Sequence, residues 1–153
     1  EIVPRGSELN AHFKMRMLLT KHLILALDRL TPPRADLMVG SEMSLFLSGD
    51  TEFKPDITIV PESMLSQNVR GPDVLLAIEI AFSSQKRNLE VKPPIYAQSG
   101  LRELWVVDLD GKVTHVHRQP GAEGYQSITR HAFSDALAAR EFPSIPVRVA
   151  DFL

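Results

Sequence analysis

Two acidic side chains occupy unusual positions in this sequence. Glu79 lies inside residues 74–81, a run that is otherwise apolar and has the length of a strand. Asp56 opens an earlier β-branched run that ends at Val60. Because burying an unpaired carboxylate costs several kcal/mol or more, Glu79 has a cationic partner, faces a cavity, or does not lie in a strand. Asp56 raises the same question at the start of its own run.

Two adjacent strands that each bring a carboxylate to a similar height would form a site for a hard divalent cation. Oxygen ligands of this kind favour Mg²⁺ or Mn²⁺, which keep several water molecules when bound. Glu42, on the predicted preceding strand, is a weaker candidate for a further metal ligand. Lys86 and Lys92 follow Glu79 closely enough to supply a positive charge. Taken singly, each of these residues also has an ordinary interpretation as a turn residue, an ion-pair member or an exposed side chain.

Three histidines and two aromatic residues are further candidates. His115 and His117 would share one face of a predicted hairpin, but no third zinc ligand is evident, so we expect exposed hairpin residues. His12, on the first predicted helix, could approach the acidic site, although a surface histidine is the simpler interpretation. Tyr96 and Trp105 are most simply core or interface residues.

The elements that would carry these residues begin with a helix. Hydrophobic residues recur at helical spacing over residues 10–30, where Asn10 can cap the start and Thr31-Pro32-Pro33 ends the helix. Three strand-length runs follow, at residues 37–47, 56–60 and 74–81. The third run is apolar on both faces, which predicts a central strand covered on both sides.

A second helix is predicted over residues 83–99, with Ser83 and Ser84 as caps. Pro93 and Pro94 disturb it, because proline removes a hydrogen bond and clashes with the preceding turn. The helix is therefore kinked there, or it begins afresh at Pro93 with Lys92 at its entrance.

The remaining runs complete a mixed sheet. Strands are predicted at residues 104–109, 112–118 and 127–131, with Asp110-Gly111 as a hairpin turn. Residues 145–153 are apolar and are expected to pack back on the core. The order of elements predicts an α/β (mixed α+β) fold in which a mixed sheet is flanked by a helix on each face. The length suits a single domain over residues 1–153.

Composition narrows the function classes. The net charge of −2 gives no global attraction to nucleic acid, so any such contact must come from local clusters. The absence of cysteine excludes disulfides and thiolate metal sites. No apolar run reaches the ~20 residues of a membrane span, and no signal peptide is evident. We therefore expect a cytoplasmic protein with no membrane contact.

The ordered set of motifs resembles the putative restriction endonuclease family of the PD-(D/E)XK nuclease superfamily. The matching residues are Lys54-Pro55-Asp56, the stretch from Leu76 through Glu79 to Ala81, Ser83-Ser84, Lys92, Tyr96-Ala97, Leu104 to Asp108, and Pro120-Gly121 to Gly124-Tyr125. The opening to His12 is also similar to the family, although residues 3–7 resemble a protease-cleavage scar as well. The resemblance implies an αβββαβ core and metal-dependent hydrolysis of phosphodiester bonds, most simply in double-stranded DNA.

The resemblance also implies roles for individual residues. Asp56 and Glu79 would hold Mg²⁺ or Mn²⁺, which would polarise the scissile phosphate and activate a bound water molecule. The superfamily's usual lysine, two positions after the glutamate, is Ala81 here. In this family the lysine lies on the following helix, where Lys92 would orient the water or stabilise the transition state.

Two departures from the family keep a second function open. Asn88 and Phe82 stand where the family usually has aspartates. The alternative is therefore a catalytically weakened or inactive nuclease-fold domain that acts in nucleic-acid or protein binding. The family also implies self-association, and the hairpin region around Trp105 is the predicted homodimer interface.

Overall fold

A six-stranded sheet forms the centre of the computed structural model, which describes residues 6–47, 49–83 and 87–153 except for the side chains at 87 and 88. The two helices are α1 (Gly6–Asp28) and α2 (Lys92–Gln98). The strands are β1 (Leu37–Ser41), β2 (Leu45–Phe46), β3 (Glu52–Phe53), β4 (Ile57–Pro61), β5 (Leu76–Ala81), β6 (Glu103–Asp108), β7 (Val113–Gly121), β8 (Gly124–Ala132), β9 (Ala136–Leu137) and β10 (Val147–Arg148).

The sheet is mixed, and β5 is one of its inner strands. Its order is β1-β4-β5-β6-β7-β8. β5 and β6 are parallel, whereas the other neighbouring strands are antiparallel. Parallel strands need a crossover connection, and a π-helical turn (Arg87–Val91) followed by α2 supplies it. The predicted order of helix, three main strands, helix and strand is therefore confirmed, with β7 and β8 extending the sheet.

The helices cover opposite faces of the sheet because residues of β5 alternate between two cores. On one face, Ile78 and Ile80 pack in a cluster with Leu19 and the rest of the buried stripe of α1. On the other face, the small residues Ala77 and Ala81 belong to a cluster that contains Tyr96 and Ala97 of α2. All six residues of β5 are buried, as expected for a strand covered on both sides.

Several predicted boundaries were wrong. α1 starts at Gly6, so Asn10 lies inside the helix and does not cap it. The run at residues 37–47 divides into β1 and the short β2, which pairs with β3. The described part of the predicted helix at residues 83–99 contains the π turn and α2. Pro93 and Pro94 occupy the first turn of α2, where a missing N–H removes no helical hydrogen bond.

The chain's end packs on the core, as predicted. Val147 and Val149 are buried in the same cluster as α1. None of the helices in the described residues is long and apolar enough to cross a membrane.

Candidate active site

The antiparallel register of β4 and β5 brings Asp56 beside Glu79. Ile57 pairs with Ile78, so one further step of the same register sets Asp56 opposite Glu79. The backbone N–H of Ile80 donates to Asp56 Oδ2 over 2.7 Å. This bond crosses from β5 to the residue before β4 and fixes the Asp56 carboxylate at the edge of the strand pair. The two carboxylates that the sequence singled out are therefore neighbours.

Glu79 is a buried acid with two partners. Its side chain is almost fully enclosed, and the Tyr96 hydroxyl donates to Oε1 over 2.8 Å. Lys92 Nζ lies 3.6 Å from Oε2. Burial raises the pKa of Glu79 to about 6; Lys92 opposes that shift, and the negative charge of Asp56 adds to it. Of the three possibilities that the sequence left open for Glu79, the cationic partner is present as Lys92, but the two carboxylates still repel each other.

Lys92 is positioned by the start of α2 and by aromatic neighbours. Its Nζ lies 5.6 Å from the centroid of the Phe53 ring, within the range of a cation–π contact. The Phe53 ring in turn meets Tyr96 edge-on, with centroids 5.1 Å apart. The hairpin of β2 and β3 and the helix α2 thus meet around the ammonium group and hold it beside Glu79.

His12 and Arg16, one turn apart on α1, reach the same site from the other side. His12 Nε2 lies 3.1 Å from Asp56 Oδ1. This hydrogen bond raises the pKa of the imidazole against the effect of partial burial. Arg16 Nη1 lies 4.0 Å from the same oxygen. From the sequence His12 was only a lesser candidate, and Arg16 was not singled out for the site; their i, i+4 spacing was the signal that could have linked them.

Glu42 is connected to the site through its backbone and through Arg16. Its N–H donates to the carbonyl oxygen of Asp56 over 3.1 Å, and its φ of 54° places it in the left-handed region. Its carboxylate accepts a 2.6 Å hydrogen bond from Arg16 Nη1 and is largely exposed. In this arrangement Glu42 acts as the partner of Arg16.

The donor set fits a hard cation that keeps most of its water. Asp56 and Glu79 offer carboxylate oxygens in a buried corner, and their mutual repulsion would be relieved by a positive ion. Among the described residues no group of three or more His, Cys, Asp or Glu could hold a metal ion. Mg²⁺ is commonly bound by one or two carboxylates together with water and phosphate oxygens, so two carboxylates suffice for it.

Other predicted residues have structural roles. His117 is buried, not exposed as expected, and burial lowers its pKa to about 4. Trp105 is fully buried and its indole N–H donates to Glu103 over 2.6 Å, so the core interpretation is confirmed. The dimer interface expected in the hairpin region around Trp105 stays a prediction. Ser83 Oγ donates to the carboxylate of Asp108, 2.8 Å away.

Other predictions fall on positions that are not fully described. Ser84 and Lys86 lie outside the described residues, and so does the Asn88 side chain. Phe82 is buried in the protein.

Comparison with known proteins adds a family and a fold neighbour. The family model described as "Uma2: Putative restriction endonuclease" matches residues 1–150. No curated protein matches the chain. The crystal structure of a putative nuclease belonging to DUF820 from Anabaena variabilis is similar to the chain with a TM-score of 0.72 at 16% identity. The alignment covers 99% of this chain and 83% of that one, and at this identity it shows a shared fold.

Proposed function

The chain belongs to the Uma2 family of putative restriction endonucleases, and on that premise we propose that it is a Mg²⁺- or Mn²⁺-dependent endonuclease that hydrolyses phosphodiester bonds of double-stranded DNA. The observation that carries this proposal is the buried pair of Asp56 and Glu79, with Lys92 Nζ 3.6 Å from Glu79 Oε2. A buried carboxylate pair is expensive for folding alone, even with Lys92 and Arg16 beside it. A metal-dependent reaction explains why it is present.

The protein's own residues would divide the work as follows. Asp56 and Glu79 would hold the ion, which would polarise the scissile phosphate and lower the pKa of a bound water molecule. Tyr96 holds Glu79 Oε1 by its hydroxyl, which leaves Oε2 directed toward Lys92. Lys92 would orient the attacking water or stabilise the negative charge that develops on the phosphate. Arg16 adds a second cation near Asp56 on the other side.

The choice of ion follows from the donor atoms. Both primary donors are carboxylates, which favour Mg²⁺ and Mn²⁺ over metals that prefer thiolate or imidazole ligands. Glu42 remains a weaker candidate for a further metal ligand. To bind the ion, its carboxylate would have to give up the hydrogen bond from Arg16.

Plasmid cleavage tests the proposal. Supercoiled DNA incubated with the protein and Mn²⁺ should be nicked, and a chelator should stop the reaction. Asp56→Ala should abolish nicking because it removes a metal ligand, and Lys92→Met should lower the rate about 100-fold or more. Absence of nicking by the wild type, or equal nicking by Asp56→Ala, would contradict the proposal.

The second candidate is a binding domain that retains the nuclease fold without its activity. Asn88 and Phe82 favour it, because each replaces a carboxylate that the family usually has. The buried apolar ring of Phe82 can contribute nothing to a metal site. DNA binding by a wild-type protein that neither binds Mn²⁺ nor cleaves would support this candidate over the nuclease.

Two further properties belong to the same proposal. Cleavage of both strands of a duplex is simplest with two active sites, so we expect a cytoplasmic homodimer built from two copies of this single domain. Sedimentation of the protein with a short duplex should give a complex with the mass of two chains and one duplex. A monomer that converts plasmid only to the nicked form would contradict the dimer while leaving the nuclease in place.

A further inference from the structure

We propose that His12 is a positioning residue of the active site, whose Nε2–H donates to Asp56 Oδ1 and fixes that carboxylate for metal binding. The inference rests on the proposed nuclease function and adds a residue from α1 to a site otherwise built on the sheet and α2. His12 Nε2 lies 3.1 Å from Asp56 Oδ1, which is the distance of a hydrogen bond.

The Asp56 carboxylate is held at both oxygens. Oδ2 accepts the N–H of Ile80 and Oδ1 faces the imidazole of His12. Each carboxylate oxygen can accept about two hydrogen bonds or ligands. These two contacts therefore define the rotation of the carboxylate and still leave lone pairs for an ion. Without His12, one backbone hydrogen bond and the more distant Arg16 would remain, and the carboxylate could turn away from Glu79.

The position of His12 on α1 is set by the packing of the helix. Met15, Leu19, Leu23 and Leu27 form the buried stripe of α1 against the sheet. His12 lies one turn before Met15 on the same side, where the stripe reaches the end of the strand pair that carries Asp56. The imidazole is partly buried. The apolar contacts of α1 therefore place a hydrogen-bond donor at the acidic site, and this donor is carried by a packed helix instead of a loop.

The geometry favours an orienting donor over a direct metal ligand. No group of three His, Cys, Asp or Glu suited to a metal ion is found in the described part of the chain. A hydrogen bond to a ligating carboxylate is a common outer partner of metal sites, and its loss typically lowers metal affinity or activity about 10–100-fold. We expect an effect of that size for His12.

The first test uses the metal-free protein. Nitrogen-15 NMR of the imidazoles, at a pH where they are neutral, should show His12 protonated at Nε2, and Asp56→Ala should shift that signal. His22, on another part of α1, is the internal control. Its Nε2 lies 3.1 Å from the carbonyl oxygen of Pro146, so its signal should not respond to Asp56→Ala. A His12 that carries its proton on Nδ1 would overturn the proposal.

The second test measures Mn²⁺ binding by calorimetry, without any cleavage reaction. His12→Ala should bind Mn²⁺ about 10–100-fold more weakly than the wild type. His12→Gln should recover part of the loss, because its side-chain amide can still donate to Asp56, and His22→Ala should match the wild type. Thermal unfolding of each variant confirms that the fold is retained.

The outcomes separate this inference from the proposed function. Mn²⁺ binding that is unchanged or tighter in His12→Ala would overturn the role of His12 alone. An equal loss in His12→Ala and His12→Gln would also overturn it, because it would make the imidazole a direct ligand. No Mn²⁺ binding by the wild type would overturn the metal dependence itself, and with it the purpose of the contact.

Discussion

Glu79 is only 3% exposed, and its neighbours determine whether it is charged. Its apolar sequence context left open a cationic partner, a cavity or a position outside a strand, and Lys92 is that cationic partner. The contact of the Tyr96 hydroxyl with Glu79 was not predicted, because it depends on how α2 docks against the sheet. The same applies to His12, whose contact with Asp56 depends on how α1 docks.

Tyr96→Phe tests whether the hydroxyl supports the site. It leaves Glu79 Oε1 buried without that hydrogen bond, so the free energy of unfolding should fall by about 1–3 kcal/mol. Mn²⁺ affinity should fall with it, because the carboxylate is less well oriented. Urea unfolding and calorimetry measure the two quantities.

Tyr125→Phe provides the matched control for that variant. Its hydroxyl is also buried and donates to the Leu101 carbonyl oxygen over 2.8 Å, but it touches neither acidic residue. It should lower stability and leave Mn²⁺ affinity unchanged. Equal effects of the two variants on Mn²⁺ binding would contradict a specific role for Tyr96.

At the scale of elements, apolar runs predicted the strands better than the helix boundaries. Residues 74–81 are apolar almost throughout, and β5 lies within them as a buried inner strand. Pro93 and Pro94 left two alternatives for the second helix, and α2 begins beside them, at Lys92. Short elements such as β2 and β3 were missed, because two residues are too few for a periodic pattern.

The packing of the end of α2 can be tested at Gly71. A Cβ at this position would overlap the Ser99 side chain and backbone, directly after α2. Gly71→Ala should therefore lower the free energy of unfolding by about 1–3 kcal/mol. Gly6→Ala is the control, because in the described part of the chain its added Cβ meets no atom within 4 Å outside its chain neighbours and its own helix backbone. Chemical denaturation measures both variants. A Gly71→Ala protein that is as stable as the wild type would contradict this packing.

At the scale of the whole molecule, His117 should make stability depend on pH. Burial lowers its pKa from 6.5 to about 4 in the folded protein. Between pH 4 and pH 6.5 the unfolded state binds more protons at His117 than the folded state does. The contribution of neutral His117 to stability is therefore complete above pH 6.5 and is lost as the pH falls toward 4. The loss should amount to about 3 kcal/mol.

Unfolding of the wild type and His117→Phe across that pH range measures the contribution. Glu79 acts in the opposite direction, because its raised pKa favours folding at lower pH. The difference between the two proteins removes the contribution of Glu79, since both retain it. Parallel curves of stability against pH for the two proteins would contradict the assignment to His117.

The overall architecture could be predicted because it depends on patterns along the chain. The order of apolar runs indicated a mixed sheet with a helix on each face, and the sheet order and two cores confirm it. The depth of single side chains was harder to predict. His117 was expected to be exposed but is buried on β7, where burial depends on the segments that cover the sheet from far along the chain.

The central claim is that the buried carboxylate pair performs metal-dependent cleavage, and a pair of glutamate variants tests it most directly. Glu103 is the matched control for Glu79, because it is also a buried strand glutamate but binds Trp105 and Arg118. The measurement is the rate of plasmid nicking over a range of Mn²⁺ concentrations. Nicking should require Mn²⁺, disappear in Glu79→Gln and persist in folded Glu103→Gln. Cleavage without metal, or undiminished cleavage by Glu79→Gln, would contradict the account.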